Sequence, residues 1–360
     1  VVITASHNPA EWNGVKFLTR EGRAPAKAEA EAIFRIFDQG DYHNDPLRQR
    51  TSPMKLDPHV HHVDAVLELV NAERIRRRGF SVVLDSINGA GAKVGRMLLD
   101  RLGCTVHHLN AEPAATFAHA PEPIAENLTD LCGEVRAAGA DIGFAQDPDA
   151  DRVAIVDEAG RYIGEEYSLA LAARQAFRDT PGPAATNLST SRLLDDVAAA
   201  AGEGCSVHRT PVGEANVVDG MKAHDCVIGG EGNGGVIHPK VVHVRDSLVG
   251  IALVLDLLAA EQRPLSEVVG ELPAYAMIKE KVTCERERID RVLATVRQAF
   301  AGAKINDSDG VRVDWPAEGK WVHIRASNTE PIMRLIVEAR DAASAENLMG
   351  EVRTHLQSAD

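Results

Sequence analysis

Ser81-Val82-Val83-Leu84-Asp85 is an apolar run that ends on an acid, and Asn88-Gly89-Ala90-Gly91 follows closely behind it. A short apolar run bounded by such punctuation reads as a buried strand entering a strand-to-helix turn. Lys93 to Leu102 then has helical spacing, Thr105 to Leu109 is strand-like, Leu128 to Ala138 is helical, and Ile142 to Ala145 is a further buried strand. Strands alternating with helices predict a parallel sheet with helices packed on it. The glycine turn lacks the full G-x-G-x-x-G fingerprint of a dinucleotide site, so it is read as a turn alone.

The same alternation extends to both sides. Upstream, Pro58 to Arg78 reads as one helical stretch. Downstream come helix Glu165 to Arg178, strand Ala185 to Leu188, helix Ser191 to Ala201, strand Ser206 to Thr210, helix Ala215 to Ala223, strand Cys226 to Ile228 and helix Asp246 to Glu261. From about Glu271 the order changes to strand, helix, several strands and a last helix, Ala342 to Gln357, which predicts a smaller α+β domain. Near the start, Val1 to Ile3 and Gly14 to Leu18 are strand-like. Ala26 to Phe37 is helical, with Ile33, Phe34 and Phe37 on one side. Asp38 to Pro53 is polar and irregular, and is read as a linker. The fold class is therefore α/β: successive mixed domains with helices packed on sheets, and a smaller C-terminal α+β domain.

Composition narrows the function. With 360 residues the chain suggests two to four domains. Acidic residues outnumber basic ones 53 to 39, for a net charge of −14, so a nucleic-acid partner would meet long-range repulsion. A small phosphorylated substrate stays open, because a few Arg and Lys side chains can bind it locally. The five cysteines form no CxxC pair, which argues against a zinc site or disulfide framework and reads as reduced core thiols of a cytoplasmic protein. No apolar run approaches the roughly 20 residues of a membrane span. The longest, Leu248 to Ala260, is interrupted by Asp256.

Four polar loops, each after a strand-like run, carry the chemistry. The first is Ile3-Thr4-Ala5-Ser6-His7-Asn8-Pro9, where Asn-Pro stops regular structure and a hydroxyl sits on a sharp bend. A serine before such a turn often serves only the backbone. In the second, Asp147-Pro148-Asp149-Ala150-Asp151-Arg152, the alternating aspartates can converge on one point and offer hard oxygen ligands for Mg²⁺. An EF-hand is rejected although Glu158 occupies its twelfth position, because Arg152 stands where that loop needs Gly and a strand-like run follows. In the third, the glycines from 229 to 235 around Glu231 and Asn233 predict close backbone approach to a ligand. In the fourth, Arg325, Ser327, Asn328, Thr329 and Arg334 offer guanidiniums, hydroxyls and turn amides that suit a phosphate.

This ordered quartet resembles the α-D-phosphohexomutase superfamily, whose members move a phosphoryl group between the 1 and 6 positions of a hexose. The resemblance covers essentially the whole chain and implies four domains: 1–54 with the serine loop, 55–160 with the metal loop, 161–270 with the sugar loop and 271–360 with the phosphate loop. It implies a phosphoserine at Ser6, Mg²⁺ on Asp147, Asp149 and Asp151 with the Ser6 phosphate as a further ligand, and Arg152 assisting at the transferring phosphoryl group. Lys16 matches a lysine placed near the reacting oxygen, and His7 orients the serine loop. Glu231 and Asn233 fall in the sugar-recognition loop, where many relatives have Ser in place of Asn233 and His in place of Gly235. The segment Phe117 to Pro123 matches a second-domain segment without assigned chemistry. The resemblance also implies a further half-domain upstream of Ser6, so Val1 to Ile3 is expected to be a parallel strand without its neighbours.

The implied activity is an isomerase: a phosphohexomutase interconverting hexose 6-phosphate and hexose 1-phosphate through a 1,6-bisphosphate. The form of the third loop looks most like phosphoglucosamine mutases. Phosphomannomutase or phosphoglucomutase activity is the alternative, and a phosphatase using Ser6 or an inactive truncated product are the rivals. The implied partner is a small phosphosugar, with no nucleic acid or membrane, and the chain is expected to be a monomer or homodimer.

Overall fold

Parallel strands covered by helices on both faces are apolar at successive positions, as β3 (Ser81–Asp85) is at Val82, Val83 and Leu84, and it is buried from Val82 onward. The computed structural model describes residues 1–8, 12–41, 57–114, 116–327 and 331–357. Pro9, most of the expected linker from Asp38 to Pro53, Asn328 and Thr329 lie outside them.

The first unit holds β1 (Val2–Ile3), β2 (Val15–Lys16) and α1 (Lys27–Gln39). Contrary to expectation, β1 is not a parallel strand: it pairs antiparallel with β2, Val2 opposite Lys16 and Ile3 opposite Val15. The connection from Thr4 to Gly14 is too short for the crossover that parallel pairing needs. Phe34 and Phe37, on the apolar side of α1, are 63% and 70% exposed.

The second unit contains α2 (Pro58–Leu69), α3 (Ala72–Arg78), β3, α4 (Ala92–Arg101), β4 (Thr105–Leu109), α5 (Thr129–Ala138), β5 (Ile142–Gln146) and β6 (Val153–Asp157). Its sheet order is β4-β3-β5-β6, with β6 antiparallel to β5. The single helix expected over 58–78 is broken at Val70, whose backbone is extended. Asn71 then caps α3 by accepting from Arg74 N at 3.0 Å and donates its own N–H to Asp256 at 3.1 Å.

The third unit repeats that topology with α6 (Glu166–Asp179), β7 (Pro183–Asn187), α7 (Leu193–Ala201), β8 (Ser206–Thr210), α8 (Glu214–Ala223), β9 (Ile228–Glu231), β10 (Gly235–Ile237), α9 (Ser247–Glu261) and α10 (Leu265–Gly270). Its order is β8-β7-β9-β10, with β10 antiparallel. The metal loop and the sugar loop therefore occupy the same place, the hairpin after the third strand of each sheet. Helix α9 is buried continuously from Ser247 to Ala259, and one hydrophobic core runs through the second and third units around it.

The fourth unit, β11 (Ala276–Thr283), α11 (Arg286–Ala299), β12 (Lys304–Asn306), β13 (Val311–Trp315), β14 (Lys320–Ala326), β15 (Ile332–Ala339) and α12 (Ala342–Gln357), is an antiparallel sheet ordered β11-β15-β14-β13-β12 with its own core. All five cysteines are free thiols; Cys226 and Cys284 are buried, and Cys104, Cys132 and Cys205 only partly so. No helix among the described residues is long and apolar enough to cross a membrane.

Candidate active site

The metal loop is propped from below. Ala90 N donates to the Pro148 carbonyl at 2.9 Å, and a Cβ on Gly89 would stand 2.6 Å from that oxygen. The glycine turn after β3 is thus a support for the aspartates. One oxygen from each of Asp147, Asp149 and Asp151 can be chosen so that all lie within 4.8 Å of one another.

The hydrogen bonds of these carboxylates fall on one oxygen of each, while Arg152 Nε stands 3.9 Å from Asp147 Oδ2 and 3.7 Å from Asp151 Oδ1, beyond hydrogen-bond distance. Asp147 Oδ1 accepts from Arg152 N at 3.1 Å, Asp149 Oδ2 from Thr4 Oγ1 and Lys16 Nζ at 2.9 Å each, and Asp151 Oδ2 from Lys16 at 3.0 Å and Arg245 at 2.7 Å. This leaves Asp147 Oδ2, Asp149 Oδ1 and Asp151 Oδ1 buried without a hydrogen-bond donor, one from each residue. Buried acceptors left without donors are costly. Three hard oxygens so disposed fit a divalent cation such as Mg²⁺. The electrostatics agree. Burial, and then the charges of Asp151 and Asp149, push Asp147 well above the usual carboxylate range. Burial also acts on Asp151, but Arg245 and Lys16 outweigh it and hold that group low. Glu158 lies elsewhere, accepting from Ser266 N at 3.2 Å, and β6 follows the loop in place of an EF-hand helix.

The serine loop docks on these aspartates. Ser6 adopts φ 52°, an uncommon conformation for a residue with a side chain, and its N–H donates to Thr4 Oγ1 at 2.9 Å. Because Thr4 also donates to Asp149, one hydroxyl joins the two loops. Ser6 Oγ lies 3.3 Å from His7 Nδ1. Burial, followed by the charge of Arg152, lowers the His7 pKa, so the ring is neutral near pH 7. For Lys16 burial works against the charge, but Asp151 and Asp149 prevail and its pKa is raised. It is an ammonium here.

The sugar loop departs from its sequence reading. Gly229, Gly230 and Glu231 belong to β9 itself, so the strand expected at 226–228 starts later and runs into the loop. The glycines admit the protein's own atoms: Gly234 has φ +86° with the Val153 carbonyl 2.6 Å from where its Cβ would be, and a Cβ on Gly235 would meet Arg245 Cδ at 2.3 Å. Glu231 is 5% exposed and already held, by Asn187 Nδ2 at 2.8 Å and Arg245 Nη1 at 2.8 Å. Asn233 Oδ1 accepts from Gly235 N at 3.2 Å. Arg245 thus spans Asp151 and Glu231, and connects the metal loop to the sugar loop.

In the fourth unit Arg325 and Arg334 are direct cross-strand partners on β14 and β15. Like charges placed opposite each other are destabilising, a situation that a bound anion relieves. Ser327 N donates to the Ile332 carbonyl at 2.9 Å. Asn328 and Thr329 lie outside the described residues. Thr4, Asn187 and Arg245 were given no site role from sequence. Thr4 stands inside the serine heptapeptide and Arg245 directly before the helix signal at Asp246, but neither position carries a spacing pattern of its own.

The geometry is that of an α/β protein whose serine, aspartate and third-unit glycine loops adjoin, with an arginine pair on a fourth sheet. Four phosphoglucomutase/phosphomannomutase family profiles match in order: α/β/α domain I over residues 1–44, domain II over 59–160, domain III over 165–275 and the C-terminal domain over 278–355. A probable phosphoglucosamine mutase of Methanopyrus kandleri is 38% identical over 356 residues, 98% of this chain and 77% of the relative. A phosphoglucomutase/phosphomannomutase of Thermococcus kodakarensis is 38% identical over 352 residues, 97% of this chain and 76% of the relative. The crystal structure of a phosphoglucomutase/phosphomannomutase family protein from Burkholderia thailandensis matches with a TM-score of 0.84 at 25% identity, over 99% of this chain and 75% of that one. The chain belongs to the phosphoglucomutase/phosphomannomutase family.

Proposed function

We propose that the protein is a phosphohexomutase acting on glucosamine phosphate, in which phosphorylated Ser6 gives its phosphoryl group to the free hydroxyl of a hexosamine phosphate. The ester bond to Ser6 breaks as the bond to the sugar oxygen forms, giving a 1,6-bisphosphate. The sugar hydroxyl's proton passes to Ser6 Oγ in this first transfer; after reorientation the opposite phosphoryl returns to Ser6, and the Ser6 hydroxyl's proton passes to the sugar oxygen thus released. The observation that carries this reading is the set of three donorless aspartate oxygens beside the Ser6 loop. Asp147, Asp149 and Asp151 would hold Mg²⁺, which when bound neutralises charge on the transferring group. Lys16, as an ammonium, donates to the reacting oxygen, Arg152 faces the phosphoryl group, and the neutral His7 ring orients Ser6.

Glu231 and Asn233 would recognise the sugar. A carboxylate has about four lone-pair sites, so Glu231 keeps acceptor capacity for a hydroxyl beside its two protein donors. Arg325 and Arg334, with Ser327, would bind the phosphate that is not reacting. A second anion site distinguishes this reading from a phosphatase, because hydrolysis needs no reorientation. The glucosamine preference draws on the relatives bearing that name, and glucose or mannose phosphate is the alternative.

The test follows glucosamine 6-phosphate with Mg²⁺ and a trace of hexose 1,6-bisphosphate, measuring glucosamine 1-phosphate and free phosphate together. The expected result is 1-phosphate without stoichiometric free phosphate, and loss of turnover in Asp149→Ala. Stoichiometric phosphate release with no 1-phosphate would replace the mutase by a phosphatase.

A further inference from the structure

Asp309 lies in the turn between β12 and β13, and three separate contacts converge on it. Its Oδ2 accepts from Arg325 Nε at 3.1 Å, across the fourth sheet. The same oxygen accepts from Val212 N at 2.9 Å, a backbone group of the third unit, between β8 and α8. Its carbonyl is 2.7 Å from His323 Nε2, while His323 Nδ1 is 2.9 Å from Ser189 Oγ, again in the third unit. Next to it, Gly310 has φ +73°, and a Cβ there would stand 2.2 Å from the Ile324 carbonyl and 2.8 Å from Arg325 Cα. The turn is therefore pressed against the strand at Arg325, and a residue with a side chain at 310 would lift it off.

The direction of each bond follows from its partners. A carbonyl only accepts, so His323 Nε2 carries the hydrogen and Nδ1 accepts from the Ser189 hydroxyl. Burial holds this ring neutral, with its pKa lowered to about 4. Asp309 is thus anchored to the third unit through Val212 and, by way of His323, Ser189. Its charge rests on Arg325, whose side chain is 11% exposed. Arg325 also faces the like charge of Arg334 across the ladder. Without a counterion that repulsion would push the guanidinium away from its neighbour.

We infer that Asp309 is a positioning residue for the phosphate site: it fixes Arg325 through Nε, so that the guanidinium edge formed by the two terminal nitrogens is presented to phosphate, and it makes that placement depend on the seam between the third and fourth units. This rests on the proposed role of Arg325 as a ligand of the non-reacting phosphate. Orientation by a fixed partner raises affinity because less freedom is lost on binding. The charged ligand contact is what deletion of Asp309 weakens, so the expected loss is about tenfold or more.

The experiment is a double-mutant cycle read by calorimetric binding of glucose 1,6-bisphosphate and by KM and kcat for glucosamine 6-phosphate. Asp309→Ala should raise Kd and KM about tenfold or more with a smaller change in kcat. Asp309→Asn, which keeps an acceptor for Val212 and Arg325 but no charge, should fall between, and Ser189→Ala should show a small rise in the same direction. The combination Asp309→Ala with Arg325→Ala should bind no worse than Arg325→Ala alone. Unchanged binding in Asp309→Ala, or penalties that add in full in the double variant, would overturn the inference. If Asp309→Ala does not fold, the same comparison is made with Asp309→Asn and its double variant. A failure of the mutase reading would appear separately, as absence of 1-phosphate from the unmutated protein, while the binding cycle still reads Asp309.

Discussion

Thr4 is a short side chain with two partners that matter, the amide of Ser6 and the carboxylate of Asp149. Ser6 is held at φ 52° while Thr4 ties it to the metal loop, so the hydroxyl keeps its place in an uncommon backbone conformation. Thr4→Val keeps the shape and removes both hydrogen bonds. A hydrogen bond to a charged group is worth about 1.5–3 kcal/mol, so turnover should fall roughly ten- to a hundredfold, and Thr4→Ser should restore most of it. Equal rates for Thr4→Val and the unmutated protein would show that the loop is placed by other contacts. His119 offers a second test at this scale. Its Nε2 is 3.1 Å from Asp85 and its Nδ1 is 2.9 Å from the Ala120 carbonyl, and the bond to Asp85 raises its pKa. A raised folded-state pKa means stability that is full below the unfolded value near 6.5 and is lost as pH rises through the folded value. Urea midpoints of the unmutated protein should therefore fall relative to those of His119→Gln as pH increases from 6 upward. A constant difference between the two across that range would contradict the linkage. The candidate site residues could be named from sequence because loops carry their identities in short strings, and the structure brings the three aspartates together. Thr4, Asn187 and Arg245 could not, since what makes them matter is a partner more than forty residues away for two of them and, for Arg245, the joining of two loops.

Helix α9 is the element on which the second and third units meet. Its sequence shows a long apolar segment with one acid, and the structure gives that acid its purpose. Asp256 is 1% exposed and accepts from Asn71 N at 3.1 Å, from Arg74 at 3.0 and 2.7 Å, and from Gln175 at 3.2 Å. The break between α2 and α3 is made where Asn71 turns toward this carboxylate. Asp256→Ala should lower stability by about 1–3 kcal/mol, the cost of leaving buried donors unpaired, measured as a reduced urea midpoint. Native stability in that variant would mean water replaces the carboxylate without loss. Periodicity located α9 and the strands around it because burial on all sides leaves an unbroken apolar run. It could not divide 58–78 into two helices, since the break answers a group 185 residues further along the chain.

Across the whole molecule, the first unit is joined to the others by polar contacts. Lys16 reaches Asp149 and Asp151, Arg23 reaches Asp219 at 2.9 Å, and Lys222 pairs with Glu21. Its ribbon has two residues per strand, and Val1, Ile3, Trp12, Val15, Phe34 and Phe37 are each more than half exposed. Such a ribbon is marginal alone, and exposed ion pairs weaken with salt. Hydrogen exchange should be faster for Val2–Lys16 than for β3 and β5, with the gap widening in high salt. Equal protection in the two regions would show that the ionic ties suffice.

The sequence by itself determined the α/β class, most of the alternation of strands and helices, the family resemblance and the aspartate cluster, because each is written in local periodicity or in a contiguous motif. Only the tertiary structure decided which carboxylate oxygens remain without donors, that Glu231 is shared with Asn187 and Arg245, that the glycines of the third loop admit protein atoms, and that Asp309 links Arg325 to the third unit. These depend on side chains brought together from distant parts of the chain, and neither periodicity nor spacing records which atom of a side chain finds which partner.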